Sequence, residues 1–301
     1  MIPLALALGS SLAWGLADFL GGLKTRSLAL PTVLLLSQAV GLVISGVAVV
    51  LAGEPVASAS GTLAWAALSG VLDLAGLWAL YRGLSRGSMS VVAPLAATAA
   101  IIPAVYGLAI GEQPSALALS GVGLAVVGVA LAGRSQDPGD ERTLARGVGL
   151  ALIAALCFGL GFVAVDTASE GSIVWTLLAN RVGSVIVLLI AWRVDTWAGD
   201  FTADGDDGAY VSRVAVRAFL PGSGTGDYAA VLAIGVLDLV AVGLFALAST
   251  QGLVSVVAAL GSLYPLATVV LARLLLRERM TTAQLAGVSV ALVGVLAISA
   301  A

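Results

Sequence analysis

The chain has 301 residues, 60% of them apolar and only 10% charged, with a formal net charge of −3 and a mean hydropathy of +1.09. A water-soluble domain carries about a quarter of its residues as charges, so a soluble globular protein is excluded and lipid is the expected solvent for most of the chain. With no histidine and a single cysteine, Cys157, disulfide frameworks, the usual zinc sites and histidine-based acid–base chemistry are excluded as well, and neither a metal nor another cofactor is expected.

A helix needs about 20 apolar residues to cross the hydrocarbon core. That template fits residues 2–21, 31–52, 62–81, 89–110 and 115–132, and after the polar stretch 134–146 it fits again at 147–166, 173–192, 228–250, 253–276 and 282–300. The first run is too long for a signal-peptide core and has no small-residue cleavage pattern, so it is read as a helix that stays. The expected fold class is an all-α membrane protein of ten transmembrane helices.

Charge placement checks this count, because cytoplasmic loops collect Lys and Arg. Alternate loops carry Lys24 and Arg26; Arg82 and Arg86; Arg134, Arg142 and Arg146; Arg193, Arg213 and Arg217; and Arg273, Arg277 and Arg279. The other side holds both termini and the loops near Glu54, Glu112, Glu170 and Gly252, with no basic side chain. The rule places a multi-pass protein in the cell membrane with both termini extracytoplasmic. The long loop 193–227 is acidic through Asp195, Asp200, Asp204, Asp206 and Asp207. It lacks the remaining ligands of a calcium loop and reads as a solvated linker, in which residues 209–220 form either a surface helix or irregular chain.

An internal repeat is visible. Gly70-Val-Leu-Asp73-Leu returns as Gly235-Val-Leu-Asp238-Leu, and Ser90-Val-Val-Ala93 as Ser255-Val-Val-Ala258, both at an offset of 165 residues. Glu112, Gly121 and Gly128 match Glu278, Gly287 and Gly294 after a one-residue shift. The halves are residues 1–133 and 147–301, joined by 134–146. Five crossings per half force the second half to enter the membrane inverted, the plan of many secondary transporters.

Trp14-Gly15 in the first helix, Arg181 in the seventh, and above all Arg277-Glu278-Arg279-Met-Thr-Thr-Ala-Gln284-Leu-Ala-Gly287 resemble the drug/metabolite transporter superfamily, specifically its ten-helix EamA-type members. The segment Gly111-Glu112-Gln113-Pro114 keeps the Glu but not the following Arg, and Gln38 stands about where Arg181 stands in the second half. The resemblance implies a secondary active transporter that exports amino acids or related small metabolites by proton exchange.

Ionisable groups at bilayer depth cost about 2.5–3.5 kcal/mol each on insertion scales, so retained ones face a cavity or a partner. Asp73 and Asp238, in equivalent positions near the middle of their spans, are either a protonatable pair or structural carboxylates. Arg181 needs a counter-charge: it either clamps an anionic substrate group or pairs internally with Asp238 or Asp73. Asp18 and Asp166, near span ends, are gate or rim candidates. Pro94 and Pro103 in the fourth span and Pro265 in the ninth each free a backbone carbonyl, which either lines the site or merely kinks the helix. Trp14, Trp78, Tyr106 and Tyr264 either wall a cavity or pack as ordinary core and interface aromatics. Small residues Gly121, Ala125, Gly128 and Ala132, then Gly287, Ala291, Gly294 and Ala297, either join the halves or form a homodimer seam.

The partners expected are a small-molecule substrate and the lipid bilayer, with no nucleic acid, in a monomer or homodimer. The competing readings are a membrane scaffold or receptor, and an intramembrane aspartyl enzyme using the two buried aspartates. Gly224-Thr-Gly226-Asp227 spells part of such a motif but lies in a loop, so the chain is read as not an enzyme. Absence of a Gly-x-x-x-x-Gly-Lys loop argues against direct ATP coupling.

Overall fold

The protein is described from a computed structural model, which places residues 1–24, 28, 30–56, 61–86, 96–132, 141–193, 225–267, 270–271 and 282–299. Ten α-helices are bounded among them: α1 (Ile2–Lys24), α2 (Leu30–Ala52), α3 (Leu63–Arg86), α4 (Ile101–Ala109), α5 (Ala116–Ala132), α6 (Glu141–Ser169), α7 (Ile173–Arg193), α8 (Thr225–Ser249), α9 (Val254–Gly261) and α10 (Thr282–Ser299). No strand occurs among the described residues. Six helices are long and apolar enough to cross a membrane, and four shorter apolar stretches, Thr98–Ala109, Ala116–Leu131, Val254–Ala267 and Leu285–Ile298, complete the set.

Several helix ends depart from the apolar runs, among them α8, which begins at Thr225 inside the expected loop 193–227. The α6 helix begins at Glu141, inside the stretch 134–146 read as a linker, and α3 continues to Arg86. Once a helix is nucleated each further residue adds a backbone hydrogen bond, and Arg, Leu and Glu are good helix formers; hydropathy marks the lipid-facing part of a helix rather than its end. In the fourth span a 3-10 turn, Ala97–Ala100, precedes α4, with Pro103 fully buried in the first turn after it. The ninth is interrupted at Ser262 and Leu263, one turn ahead of Pro265. Pro94, the Asp-Gly-Asp-Asp-Gly tract, residues 209–220 and Arg277–Arg279 lie outside the described residues.

The packing obeys the internal repeat. α1 packs on α8 and α6 on α3; α2 packs on α8 and α7 on α3; α1 touches α9 and α6 touches α4; α2 meets α7, α4 meets α9 and α5 meets α10. Exchanging each helix with its counterpart five places on maps this set onto itself, as a two-fold relation between halves requires. The glycine of the repeated Gly-Val-Leu-Asp string makes a tight helix crossing in each half. A methyl at Gly235 would sit 2.5 Å from the Ser37 carbonyl oxygen of α2, and one at Gly70 would overlap the Asn180 carbonyl of α7. Because Gly and Asp are three apart they share a helix face, so each tight crossing presents its Asp to the partner helix, Asp238 to Gln38 of α2 and Asp73 to Asn180 of α7.

The small-residue stripes pack α5 against α10. A methyl at Gly121 would meet the Gly294 carbonyl oxygen at 2.7 Å, and one at Gly294 would meet the Ala125 nitrogen at 2.6 Å. The main apolar cluster, with Phe162, Val242, Phe245, Val257 and Leu260, joins α6, α8 and α9. Large side chains such as Val50, Leu51, Ile190 and Leu296 are exposed, as lipid-facing positions are.

One end of the bundle gathers the segments without basic residues. Ser172 donates to Glu54 at 2.5 Å and the Trp175 indole to the Glu54 carbonyl at 3.2 Å. Glu112 accepts from the backbone of Val254 at 2.5 Å, and a methyl at Gly252 would touch Pro3 at 3.0 Å. Lys24 closes α1 at the opposite end.

Candidate functional site

At mid-height, five helices bring polar side chains together that the sequence distributes over more than two hundred residues. Asp238 of α8 is the hub. Its Oδ2 takes a hydrogen bond from Arg181 Nη1 at 2.5 Å, forming an ion pair in which Arg181 is 3% and Asp238 15% exposed. Gln38 of α2 closes a ring, accepting from Arg181 Nη1 at 2.6 Å and donating to Asp238 Oδ2 at 3.3 Å. The Trp14 indole N–H of α1 donates to the other oxygen, Asp238 Oδ1, at 3.1 Å. Two donors from the first half and one from the second thus hold a second-half carboxylate.

Asp73, the counterpart of Asp238, is held differently. Its Oδ2 accepts from the Asn180 amide at 3.1 Å, and the same amide donates to Ser69 Oγ at 2.7 Å. Ser184, one turn along α7, donates to the Gly70 carbonyl at 2.9 Å. Oδ1 of Asp73 lies beside Gly161 of α6, where a methyl would come within 2.7 Å. The symmetry-related carboxyls therefore have unlike partners, one a guanidinium and the other a neutral amide, and each has its own donors.

The Arg181 stem runs over Gly41. A methyl there would meet Arg181 Cδ at 3.0 Å and Nε at 3.2 Å, so a glycine one turn beyond Gln38 makes room for the guanidinium. Nε and Nη2 of Arg181 and Oδ1 of Asn180 are buried without hydrogen-bond partners among the described residues. Unpaired polar atoms at bilayer depth cost roughly 1–3 kcal/mol each, which makes their retention at this point of the fold notable.

A small cleft of about 30 Å³ opens beside the hub, lined by Asp18, Ser37, Gln38, Leu77, Ile234 and Asp238 and extending to Gly21 and Val33, toward the end that carries Lys24. In the other direction the path is filled. Phe162 and Phe245 stack with centroids 4.7 Å apart, and Trp14 lies against them at 5.6 and 6.0 Å. Every residue of α9, Val254 to Gly261, is buried behind them.

The remaining candidates sit outside the hub. Trp78 packs with Ala79, Leu80, Ala96, Ala151 and Ala154. Tyr264 is buried edge-on to Phe158 at 6.4 Å. Tyr106 is half-buried on α4. Pro103 lies in the first turn of α4, and the Ala99 carbonyl, which accepts a backbone N–H at the end of the 3-10 turn, abuts Gly159, where a methyl would come within 2.7 Å. Asp166 lies near Ser249 toward the Glu112 and Glu170 end. Sequence reasoning did not single out Asn180, Ser69, Ser184 or Gly41 as site residues, and treated Gln38 only as the counterpart of Arg181. Asn180 and Gln38 had a usable signal, since amides inside apolar spans need a reason; Gly41 had none apart from its spacing of three from Gln38.

Comparison with known proteins gives three findings. The profile of the EamA-like transporter family matches residues 1–134 and again 145–300. No curated protein sequence matches. A crystal structure of a protein aligns over 98% of this chain and 95% of its own, with a TM-score of 0.72 at 13% identity, a likeness that speaks to the fold alone.

Proposed function

The chain belongs to the EamA-like transporter family, a multi-pass membrane transporter of small molecules, and we propose that it is a secondary carrier exporting amino acids or related small metabolites in exchange for protons. The observation that carries this reading is the mid-height network itself. Asp238 is bonded by Trp14 and Gln38 from one half and by Arg181 from the other, at the interface where inverted-repeat carriers hold substrate.

The two carboxyls divide the work. Asp238 is tied to a cation, so removing its charge breaks an ion pair between α7 and α8 inside the second half. Asp73, bonded by the neutral Asn180 amide, can gain or lose a proton without that loss, and is the exchanged-proton site. The cleft beside Asp238 runs toward the Lys24 end, which the distribution of basic residues assigns to the cytoplasm of the cell, with both termini outside. Substrate then loads from within, and the Trp14–Phe162–Phe245 cluster separates it from the far side.

The test is a pH-gradient flux measurement in proteoliposomes holding a trapped pH-sensitive dye, with a panel of amino acids. Wild type is expected to move protons against at least one compound. Asp73→Asn is expected to bind that compound, seen as ligand-dependent thermal stabilisation, while moving no protons. Proton flux that survives Asp73→Asn removes this residue from the coupling role.

A further inference from the structure

The end that carries the termini is closed by contacts between halves, and one of them has the construction of a latch. α9 starts at Val254 after Leu253, whose backbone is extended (φ −68°, ψ 127°) and whose side chain offers no cap. A buried helix start leaves amide donors that must find partners. Here they find Glu112, from the other half: Oε1 accepts from the Val254 N–H at 2.5 Å and Oε2 from the Ser255 N–H at 3.1 Å. A carboxylate at this position also meets the positive end of the helix dipole.

The local sequence around Glu112 is arranged to deliver it. The Gly111 N–H returns to the Leu108 carbonyl at 3.2 Å and the Glu112 N–H to the Gly107 carbonyl at 2.9 Å, the paired bonds that end a helix through a left-handed residue. Gly111 supplies that residue at φ +94°. The turn sends the Glu112 side chain back along α4, into space that Gly107 leaves open: any β-carbon there would collide with the carboxylate and come within 3.1 Å of Ser255 Cβ. Gly107 of α4 and Gly111 in the turn after it thus serve one carboxylate that grips the other half.

We propose that Glu112 latches the gate at the termini end, holding α9 against α4 while the cleft at Asp238 communicates with the Lys24 end, and releasing α9 when the termini end opens. The proposal rests on the carrier reading, because a latch matters only if the two ends open in turn. Its test needs no substrate, so the two can fail separately.

The experiment uses the full chain in detergent with the sole thiol removed by Cys157→Ser and Ser255→Cys as reporter. Ser255 is 1% exposed and its hydroxyl has no partner among the described residues, so a thiol replaces it without losing a described bond, and its backbone N–H still reaches Glu112. With the latch intact, modification by a membrane-impermeant maleimide is slow. Glu112→Gln turns an amide NH2 toward one of the two donors, and the labelling rate is expected to rise roughly tenfold, the factor by which losing one charge-assisted bond shifts a two-state equilibrium.

Val254→Pro breaks the same contact from the other side. Proline is well tolerated at the first position of a helix, and an extended residue before it is what it favours, as Leu253 is. It removes the amide that Glu112 Oε1 accepts from, and it is expected to accelerate labelling in the same direction. Equal rates in all proteins overturn the latch. Acceleration by Glu112→Gln alone also overturns it, since the carboxylate would then be acting on something other than α9. If Glu112→Gln does not fold, Val254→Pro decides by itself.

Discussion

Replacing Arg181 by methionine keeps most of its volume and strands Asp238. In the native protein Arg181 is 3% exposed and donates to both Gln38 and Asp238, so the guanidinium is removed from water on every side. Breaking a buried pair by deleting one partner costs about 3–5 kcal/mol, because the remaining charge stays buried without its counter-ion. Gln38 and Trp14 continue to donate to Asp238, which places the expected loss for Arg181→Met at the lower end, about 3 kcal/mol. Asp238→Leu strands the guanidinium instead, with only Gln38 left as its acceptor, and is expected to cost about 4 kcal/mol. The double variant contains neither charge. Since apolar replacement of a whole buried pair is often neutral, its stability should return to within about 1 kcal/mol of wild type. Equilibrium unfolding of the four proteins in mixed micelles measures the cycle. Single losses below about 1 kcal/mol, or a double variant no more stable than the worse single, refute the claim that this pair is the buried electrostatic centre.

Three further expectations follow from close approaches. Gly41→Leu fills the space over Arg181 Cδ and Nε; it should lower stability in the wild type by about 2 kcal/mol and much less in Arg181→Met, and equal losses in both would mean the glycine serves another contact. Gly235→Ala forces α8 away from the Ser37 carbonyl and should destabilise by about 1–3 kcal/mol in the same unfolding assay, whereas Gly46→Ala, with nothing within 4 Å, should be neutral or slightly stabilising. Gly128→Leu, which would drive α10 off α5 at Ala291, is expected to prevent recovery of monodisperse protein on size-exclusion chromatography; normal recovery would show that this seam is not a tight internal contact.

Much of the architecture was legible because lipid imposes simple rules. Ten apolar runs, one-sided placement of Lys and Arg, and the Gly-Val-Leu-Asp repeat lead to the ten-helix, two-half fold without reference to side-chain contacts. The repeat also located Asp73 and Asp238, although it could not show why the glycine travels with the aspartate; that reason is the Gly70–Asn180 and Gly235–Ser37 crossings, which exist only in three dimensions. The choice of Arg181 between two aspartates was equally invisible. Spacing makes Asp73 and Asp238 equivalent, and what separates them is that Asn180 reaches Asp73 while Arg181 turns to Asp238.

The aromatic candidates show the limit of reading residue type at depth. Trp14 joins the hub because its helix packs on α8, while Trp78 packs with alanines of α3 and α6; hydropathy gives both the same context. The α6 start at Glu141 shows the complementary limit, since a helix that leaves the lipid continues without any apolar signal.

If the protein is a carrier, its mid-height site opens to each side of the membrane in turn. Leu77 lines the cleft beside Asp238 and Gln38, so Leu77→Cys in the Cys157→Ser background reports on it directly. Oriented proteoliposomes exposed to a membrane-impermeant thiol reagent on one face and then, in a separate sample, on the other are the measurement. Modification from both faces is expected, faster from the Lys24 side; modification from one face alone rules out alternating access at this site.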